Sequence, residues 1–247
     1  MTAILLHTAR TPTTATASSA AASYAATNAL LRPVLREWRS TTTGASWLQL
    51  DLGASLSVTG VALSGANFSS CTILADNSAT PTTNRGTLTT ALDKQDRRKG
   101  SLAFAATVRY IRFNLGAGTP LDGAAYWSIG SGYAFAGALS LLRDPLYGGS
   151  SVDWTKPQQR NDLPNGVIET WATGADRAEI ALQFAGRETE DIEEIVRRAR
   201  AGVCWFDFGL AAERGMQWPV THCEDVVSTR MEGFNRRRLD ARLREVA

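Results

Sequence analysis

The sequence has little lysine, histidine or cysteine, and it has no long apolar run. Three of its 26 basic residues are lysine, so 26 − 3 = 23 are arginine. The formal net charge is only +2, which argues against a protein that binds nucleic acid through its overall charge. No segment approaches the ~20 apolar residues of a transmembrane helix, so we expect no membrane insertion.

The few cysteines and histidines give little scope for a disulfide framework or a metal site. Cys71, Cys204 and Cys223 are odd in number and have no short metal-type spacing. His222 and Cys223 are neighbours, and adjacent side chains on a strand point to opposite faces, so the two are poorly placed to share one metal. We therefore predict no metal, no cofactor and buried free cysteines.

The amino-terminal residues do not resemble a secretory signal. Residues 1–10 contain a short apolar patch at 3–6, but neither a basic segment nor a long apolar stretch. Residues 8–29 are nearly all Thr, Ala and Ser, a composition typical of a linker or of an extended segment that wraps a β domain. We expect synthesis and folding in the cytosol.

Alternating hydrophobicity predicts several short strands in the first half. In residues 47–53 the apolar Leu48, Leu50 and Leu52 share one face, and Gly53 ends the pattern. Similar patterns occur at residues 58–65, 72–75, 108–116 and 133–142. Many short strands separated by turn signals predict a β-sandwich.

The second half combines strands with one clear helical pattern. A break in the pattern near residues 143–151 places a domain boundary between residues 1–143 and 144–247. Thr189 is a plausible helix N-cap, and Gly202 supplies the stop. The apolar residues between them follow helical spacing: Ile192, Ile195, Val196 and Ala199. We predict a smaller α+β domain, a β-sandwich with one helix.

The last predicted strand, residues 234–246, has an apolar face and a charged face. The arginines on the charged face are Arg236, Arg238, Arg242 and Arg244. They could pair with acidic residues of a neighbouring subunit. They could also contact the phosphates of DNA in a channel, without sequence specificity, or form a solvated strand face. The sequence leaves these alternatives open, so the four are candidates for an interface or channel.

The first half resembles the discoidin-like, galactose-binding-like jelly roll. The matching elements stand in order at residues 25–30, 38–40, 47–53 and 109–113, and the resemblance covers residues 8–143. It implies a jelly-roll β-sandwich whose loops at one end hold a ligand. The paired cysteines that tie the ends of extracellular members are missing, which fits a cytosolic or viral origin.

The resemblance makes sugar binding a functional alternative. The candidate ligand-binding residues are Asn67, Phe68, Asp76, Asn77, Arg85, Tyr126 and Trp127. Aromatic faces stack on sugar rings, while amide and carboxylate groups bind hydroxyls. Tyr126 and Trp127 could equally be core or interface residues.

The second half resembles the carboxyl-terminal part of bacteriophage distal tail and baseplate ring proteins. The similarity lies in a strand–helix–strand unit followed by the basic alternating strand. It implies a structural protein of the virion tail, made in the host cytoplasm, that assembles into a three- or six-fold ring. The implied partners are other copies of the chain, the tail tube and the tip hub. The alternative function is a carbohydrate-binding module for host surface glycans.

No catalytic constellation stands out. Carboxylates such as Asp153 and Glu169 could form a glycosidase pair, but nothing in the sequence fixes their separation. No Gly-x-Ser-x-Gly elbow occurs. A Ser-His-Asp triad would have to use His7 or His222, and no nucleophile is marked out. We predict that the protein is not an enzyme. A glycosidase or esterase, dependent on Asp153, Glu169 and His222, is the remaining alternative.

Overall fold

The structure of the protein is a computed structural model. It describes the backbone of residues 4–30, 37–92, 98–140, 151–155, 158–162, 168–172, 177–186, 197–198, 201, 203–207, 217–222, 228–231 and 237–245. Side chains are described for residues 6–30, 37–92, 98–138, 197–198, 201 and 203–205. Most of the described regular structure is β-strand, so the prediction of a mainly β chain is confirmed. No helix in these ranges is long and apolar enough to span a bilayer.

The described strands follow one another along the whole chain. Those of the first half are β1 (Ile4–Arg10), β2 (Thr14–Ala17), β3 (Trp38–Arg39), β4 (Ser46–Ala66), β5 (Ser70–Asp76), β6 (Asn84–Thr89), β7 (Ala91–Leu92), β8 (Arg98–Leu115), β9 (Ser128–Ile129) and β10 (Ser131–Ser140). Those of the second half are β11 (Ser151–Thr155), β12 (Gln158–Asp162), β13 (Ile168–Ala172), β14 (Arg177–Gly186), β15 (Cys204–Asp207), β16 (Gln217–His222), β17 (Ser228–Met231) and β18 (Arg237–Glu245). A 3-10 helix spans Ala26–Leu30.

The first half is organised by β4 and β8, two long antiparallel strands that pair along most of their length. Their register shifts between Asp51 and Leu56 and again just before Gly60. Such irregularities bend the strands. Leu50, before the shifts, and Val61, after them, belong to one buried core. The bent strands therefore contribute to two layers that enclose this core.

Alternation along the strands decides which side chains enter the core. Leu48, Leu50 and Leu52 are buried, while Trp47 and Asp51 on the opposite face are partly exposed. The neighbouring strands add further apolar side chains, namely Cys71, Ile73, Ala75, Val108, Ile111, Phe113 and Leu115. Each large aliphatic side chain buried in this way contributes about 1.5–3 kcal/mol of hydrophobic stabilisation.

The Thr-, Ala- and Ser-rich segment wraps this β structure. Its strand β2 pairs with β4, and its small side chains Ala15, Ala26 and Ala29 are buried in the core. Small residues allow the backbone to lie close to the sheet. The segment also accepts a hydrogen bond from the fully buried Trp38, whose Nε1 donates to the carbonyl oxygen of Ser19 at 2.9 Å.

Strand β1 joins the sheets of the two halves. It pairs with β10 on one side and with β15 on the other. Beyond β15 the order continues through β16, β18 and β14 to β11. A second apolar cluster lies at this junction and contains Leu6, Ala62, Tyr133, Phe135 and Trp205. The sheet thus crosses the predicted domain boundary, whose residues 141–150 lie outside the described part, and the boundary stays a prediction.

Two sequence predictions for the second half fall largely outside the described residues. Arg197, Arg198 and Ala201 have helical conformation, and the rest of the helix predicted between 189 and 202 is not among the described ranges. Arg238, Arg242 and Arg244 lie on β18, which pairs with β14 on one side and with β16 and β17 on the other. Their side chains and all of Arg236 lie outside the description, so their role stays a prediction.

Gly100, on β8, stands where a side chain has no room. A β-carbon there would lie 2.4 Å from the carbonyl oxygen of Thr89 and 2.6 Å from Cδ2 of Leu88. We expect Gly100→Ala to lower the free energy of unfolding by about 1–3 kcal/mol, because the neighbouring strand must move. Gly116→Ala is the matched control, since its added carbon meets nothing within 4 Å. Urea denaturation measures both, and equal midpoints would contradict the expectation.

Candidate functional site

Three loop segments meet at one end of the first-half β structure, which we call the loop end. They are residues 40–45 before β4, residues 67–69 after it, and residues 116–127 before β9. Backbone hydrogen bonds connect them: Gly118 donates to Thr43 O at 3.1 Å, and Leu121 donates to Asn67 O at 2.8 Å. Loops held together in this way form a fixed surface on a rigid scaffold, where binding residues commonly lie.

Asn67 is the central connection of the loop end. Its side chain is buried, and Nδ2 donates to the carbonyl oxygen of Tyr126 at 2.9 Å and to Oδ1 of Asp122 at 3.3 Å. Its Oδ1 accepts a hydrogen bond from the backbone N–H of Ser128 at 2.9 Å. These hydrogen bonds hold the 122–128 loop to the end of β4.

Phe68 and Trp127 are core residues of the loop end. Both rings are buried and meet edge to face, with centroids 6.3 Å apart and an interplanar angle of 80°. Trp127 Nε1 donates to the carbonyl oxygen of Gly44 at 3.0 Å. For Trp127, this placement corresponds to the core alternative that the sequence left open.

Tyr126, in contrast, is partly exposed and belongs to a stacked group. The guanidinium carbon of Arg39 lies 3.9 Å from the centroid of the Tyr24 ring and 4.5 Å from that of the Tyr126 ring. Arg39 Nε also donates to Oε1 of Glu37 at 2.6 Å. Burial opposes the charge of Arg39, but the hydrogen bond and charge of Glu37 outweigh it and raise the Arg39 pKa. The arginine is therefore fixed as a cation between two aromatic rings.

Asp76, Asn77 and Arg85 lie away from the loop end, at the other end of β5. Asn67 precedes β5 and Asp76 is its last residue, so the strand separates them by about 20 Å. The Asp76 carboxylate accepts backbone hydrogen bonds from Ser78 at 2.7 Å and Thr82 at 2.8 Å. Burial would raise the Asp76 pKa, but these hydrogen bonds together lower it. Asp76 therefore stabilises the loop between β5 and β6.

Arg85 and Asn77 also contact backbone. Arg85 Nε donates to the carbonyl oxygen of Ala75 at 3.0 Å, and Asn77 Nδ2 donates to that of Thr107 at 3.4 Å. The structure therefore divides the seven sequence-predicted residues into two groups of four and three. The ligand-binding role of each residue stays a prediction.

Tyr24, Glu37 and Arg39, which the structure places with Tyr126, were not among the candidates from the sequence. Arg39 lies in the Trp38-Arg39-Ser40 match to the discoidin-like pattern, but that match alone does not indicate exposure. Strand β3 pairs with β9, which fixes Arg39 beside Ser128. This long-range pairing brings Arg39 to Tyr126, and the wrapping segment supplies Tyr24.

The loop end offers groups suited to a polar ring-shaped ligand. It has two partly exposed tyrosine rings, one fixed cation, and the carboxylates of Glu37 and the exposed Asp122. Within the described residues, no group of three or more His, Cys, Asp or Glu side chains could hold a metal ion. Cys71 and Cys204 are buried, and burial raises the pKa of each thiol to about 12, which leaves them unreactive.

Comparison with known proteins gives matches to solved structures only. No protein-family model matches the chain, and no curated protein matches its sequence. Chitosan-binding module 1 from a chitosanase/glucanase of Paenibacillus sp. IK-5 is 31% identical, with a TM-score of 0.44 over 52% of this chain and 99% of the module. The family 32 carbohydrate-binding module of C. perfringens NanJ, in complex with galactose, is 19% identical, with a TM-score of 0.42 over 53% of this chain and 99% of the module. The CBM32 of AlyQ, in complex with 4,5-unsaturated mannuronic acid, is 20% identical, with a TM-score of 0.41 over 53% of this chain and all of the module.

Proposed function

We propose that the first half of the chain is a discoidin-like jelly roll that binds carbohydrate at the loop end, and that the protein is not an enzyme. The proposal follows the alternative function from the sequence, a carbohydrate-binding module. The contact residues that we assign are Tyr24, Arg39 and Tyr126. Of these, only Tyr126 was a candidate from the sequence.

The observation that carries the proposal is the stacked group Tyr24–Arg39–Tyr126. Arg39 lies over both tyrosine rings, so their orientation is fixed before any ligand arrives. Pre-organised aromatic side chains lose little conformational entropy on binding. Their partly exposed surfaces suit the C–H faces of a sugar.

The polar groups around the rings suit hydroxyl recognition. Glu37 and Asp122 offer carboxylate oxygens, and Arg39 offers N–H donors beyond the one bound to Glu37. A few polar groups set around an apolar surface are the usual composition of a small-ligand site. The three solved structures reported above are carbohydrate-binding modules, but the proposal rests on these side chains.

The proposal predicts that sugar binding depends on the two tyrosines. Wild type should bind at least one member of a soluble glycan panel that contains chitosan, galactose-containing and uronate-containing polymers. The double variant Tyr24→Ala/Tyr126→Ala should bind it about tenfold more weakly or worse, since each lost stacking contact is worth about 0.5–1.5 kcal/mol. Isothermal titration measures the affinities, and the bound glycan should be recovered unchanged.

Tyr110→Ala is the matched control for this experiment. Tyr110 is also partly exposed and also lies beside an arginine, Arg109, at 4.9 Å, but it is on β8 away from the loop end. Its replacement should leave the affinity for a galactose-containing glycan without uronate groups unchanged. Absence of binding to the whole panel, or equal affinities of wild type and the double variant, would refute the proposed site.

The second half was predicted to be a ring-forming tail component. Among the described residues, no observation bears on assembly into a ring. None of the solved structures reported above is a tail protein. Assembly into a ring, its tail partners and its place in a virion therefore stay predictions from the sequence.

A further inference from the structure

A second organised polar group lies on the outer face of the sheet formed by β2, β4, β8 and β5. The Arg112 guanidinium carbon is 4.1 Å from the centroid of the Trp47 ring. Arg112 Nε and Nη2 both donate to Oε1 of Gln49, at 2.9 and 2.8 Å. Gln49 Nε2 in turn donates to the carbonyl oxygen of Ala79 at 3.2 Å, which connects the loop after β5 to this face. We call Trp47, Gln49, Arg112 and this loop the outer-face group.

Arg112 is fixed without a carboxylate partner among the described side chains. Arg39 pairs with Glu37, and Arg109 pairs with Asp51 through two hydrogen bonds of 2.8 and 3.0 Å. Arg112 instead donates to the neutral oxygen of Gln49. A guanidinium has five N–H groups, and only two of those on Arg112 have a described acceptor.

The charge of Arg112 is therefore incompletely compensated. Burial lowers the Arg112 pKa, and the charge of Asp76 opposes this effect only in part. The Asp76 carboxylate is itself occupied by backbone N–H groups of its own loop. A partly desolvated arginine held by neutral neighbours is a receptor for an anion, and its planar fork matches a carboxylate.

The groups around Arg112 favour a sugar as the carrier of that carboxylate. Thr16 pairs with Gln49 across the sheet, and Thr72 and Asn114 are register partners beside Trp47. Directly opposed residues share a face, so these hydroxyl and amide side chains lie on the face of Arg112, whose own partner on β5 is the apolar Leu74. Central strands also leave no free backbone edge for a peptide to pair with.

We propose that Arg112 binds the carboxylate of an acidic sugar, a uronate unit, on the outer face of the sheet. This site is separate from the loop end, because it uses different residues and another face of the β structure. The Asp76–Arg85 segment, part of which the sequence marked as ligand-binding, forms the loop beside it. The two sites would allow one polymer to be held at two places.

The test compares polygalacturonate with the fully methyl-esterified form of the same polymer. The two differ in charge at the carboxyl group and share the same sugar backbone. We expect wild type to bind the acid form about tenfold tighter or more, because a charge-assisted hydrogen bond contributes about 1.5–3 kcal/mol. Added salt should reduce that difference. Equal affinity for the two polymers would overturn the proposal and requires no variant.

Variants locate the site. Arg112→Gln should abolish the preference for the acid form, and Arg112→Lys, which keeps the charge but not the fork, should reduce it. Arg98→Gln is the matched control, since it removes one positive charge from the other end of β8, where Arg98 pairs with Ala66 beside the loop end, and should retain the preference. A loss in Arg98→Gln equal to that in Arg112→Gln would indicate a net-charge effect or binding at the loop end, and either result would refute the site.

Two further outcomes distinguish this inference from the proposed function. If Tyr24→Ala/Tyr126→Ala removes polygalacturonate binding and Arg112→Gln does not, the acidic sugar binds the loop end, and only the present inference fails. If poly-glutamate binds at Arg112 as tightly as polygalacturonate, the carboxylate belongs to a protein partner, and the assignment to sugar fails.

Discussion

Replacing Trp205 with alanine is expected to lower the free energy of unfolding by about 3–5 kcal/mol. The side chain is fully buried on β15, and its ring centroid lies 5.7 Å from that of Tyr133 on β10. It therefore contacts a strand of the first half from a strand of the second. Its removal would leave a cavity where the two halves of the large sheet meet.

Trp205→Phe separates packing from hydrogen bonding. Trp205 Nε1 is buried and has no acceptor among the described atoms, so phenylalanine should lose only part of the packing. Trp38→Phe should cost more, because it leaves the Ser19 carbonyl without its donor. Urea denaturation followed by circular dichroism gives the three stabilities. A Trp205→Ala variant as stable as Trp205→Phe would show that the junction is not tightly packed.

Asn67→Ala should both destabilise the protein and weaken sugar binding. The substitution leaves the buried Ser128 N–H without its acceptor and the Tyr126 carbonyl without its donor. We expect a loss of about 2–4 kcal/mol, since each unsatisfied buried group costs about 1–3 kcal/mol. Binding should weaken because the loop that carries Tyr126 is no longer held.

Asn77→Ala is the control for Asn67→Ala. Asn77 is exposed, makes a single long hydrogen bond and lies away from the loop end, so its replacement should change neither the stability nor glycan binding at the loop end measurably. Denaturation and glycan titration are performed on the same samples, at a temperature where each variant remains folded. If Asn67→Ala loses stability but keeps full affinity, the loop that carries Tyr126 does not depend on Asn67.

The strands could be predicted from the sequence because their signal is local. Leu48, Leu50 and Leu52 alternate with polar or half-buried residues, and a strand with one buried face requires that period. The same reasoning holds for Ile111 and Phe113 on β8. Such patterns depend only on near neighbours in the chain, so they can be recognised without knowledge of the partners.

The candidate site could be predicted only in part because it depends on pairing between distant segments. Aromatic residues near a turn are visible in the sequence, but the half-exposed Tyr126 and the buried Trp127 are adjacent and indistinguishable there. Tyr24 and Arg39 reach Tyr126 through the wrapping segment and the β3–β9 pair. In the same way, the sequence does not distinguish Arg112 from other arginines on strands, because its hydrogen-bond partner Gln49 lies on a different strand.

The position of β1 has a consequence for folding during synthesis. Residues 4–6 leave the ribosome long before their β15 partners, residues 205–207. After β10 has been made, β1 can pair on one side while its other side remains an open edge, available to another chain. At about 5–20 residues per second, this exposure lasts on the order of ten seconds in every round of translation. The nascent chain is therefore most prone to self-association before the β15 segment emerges.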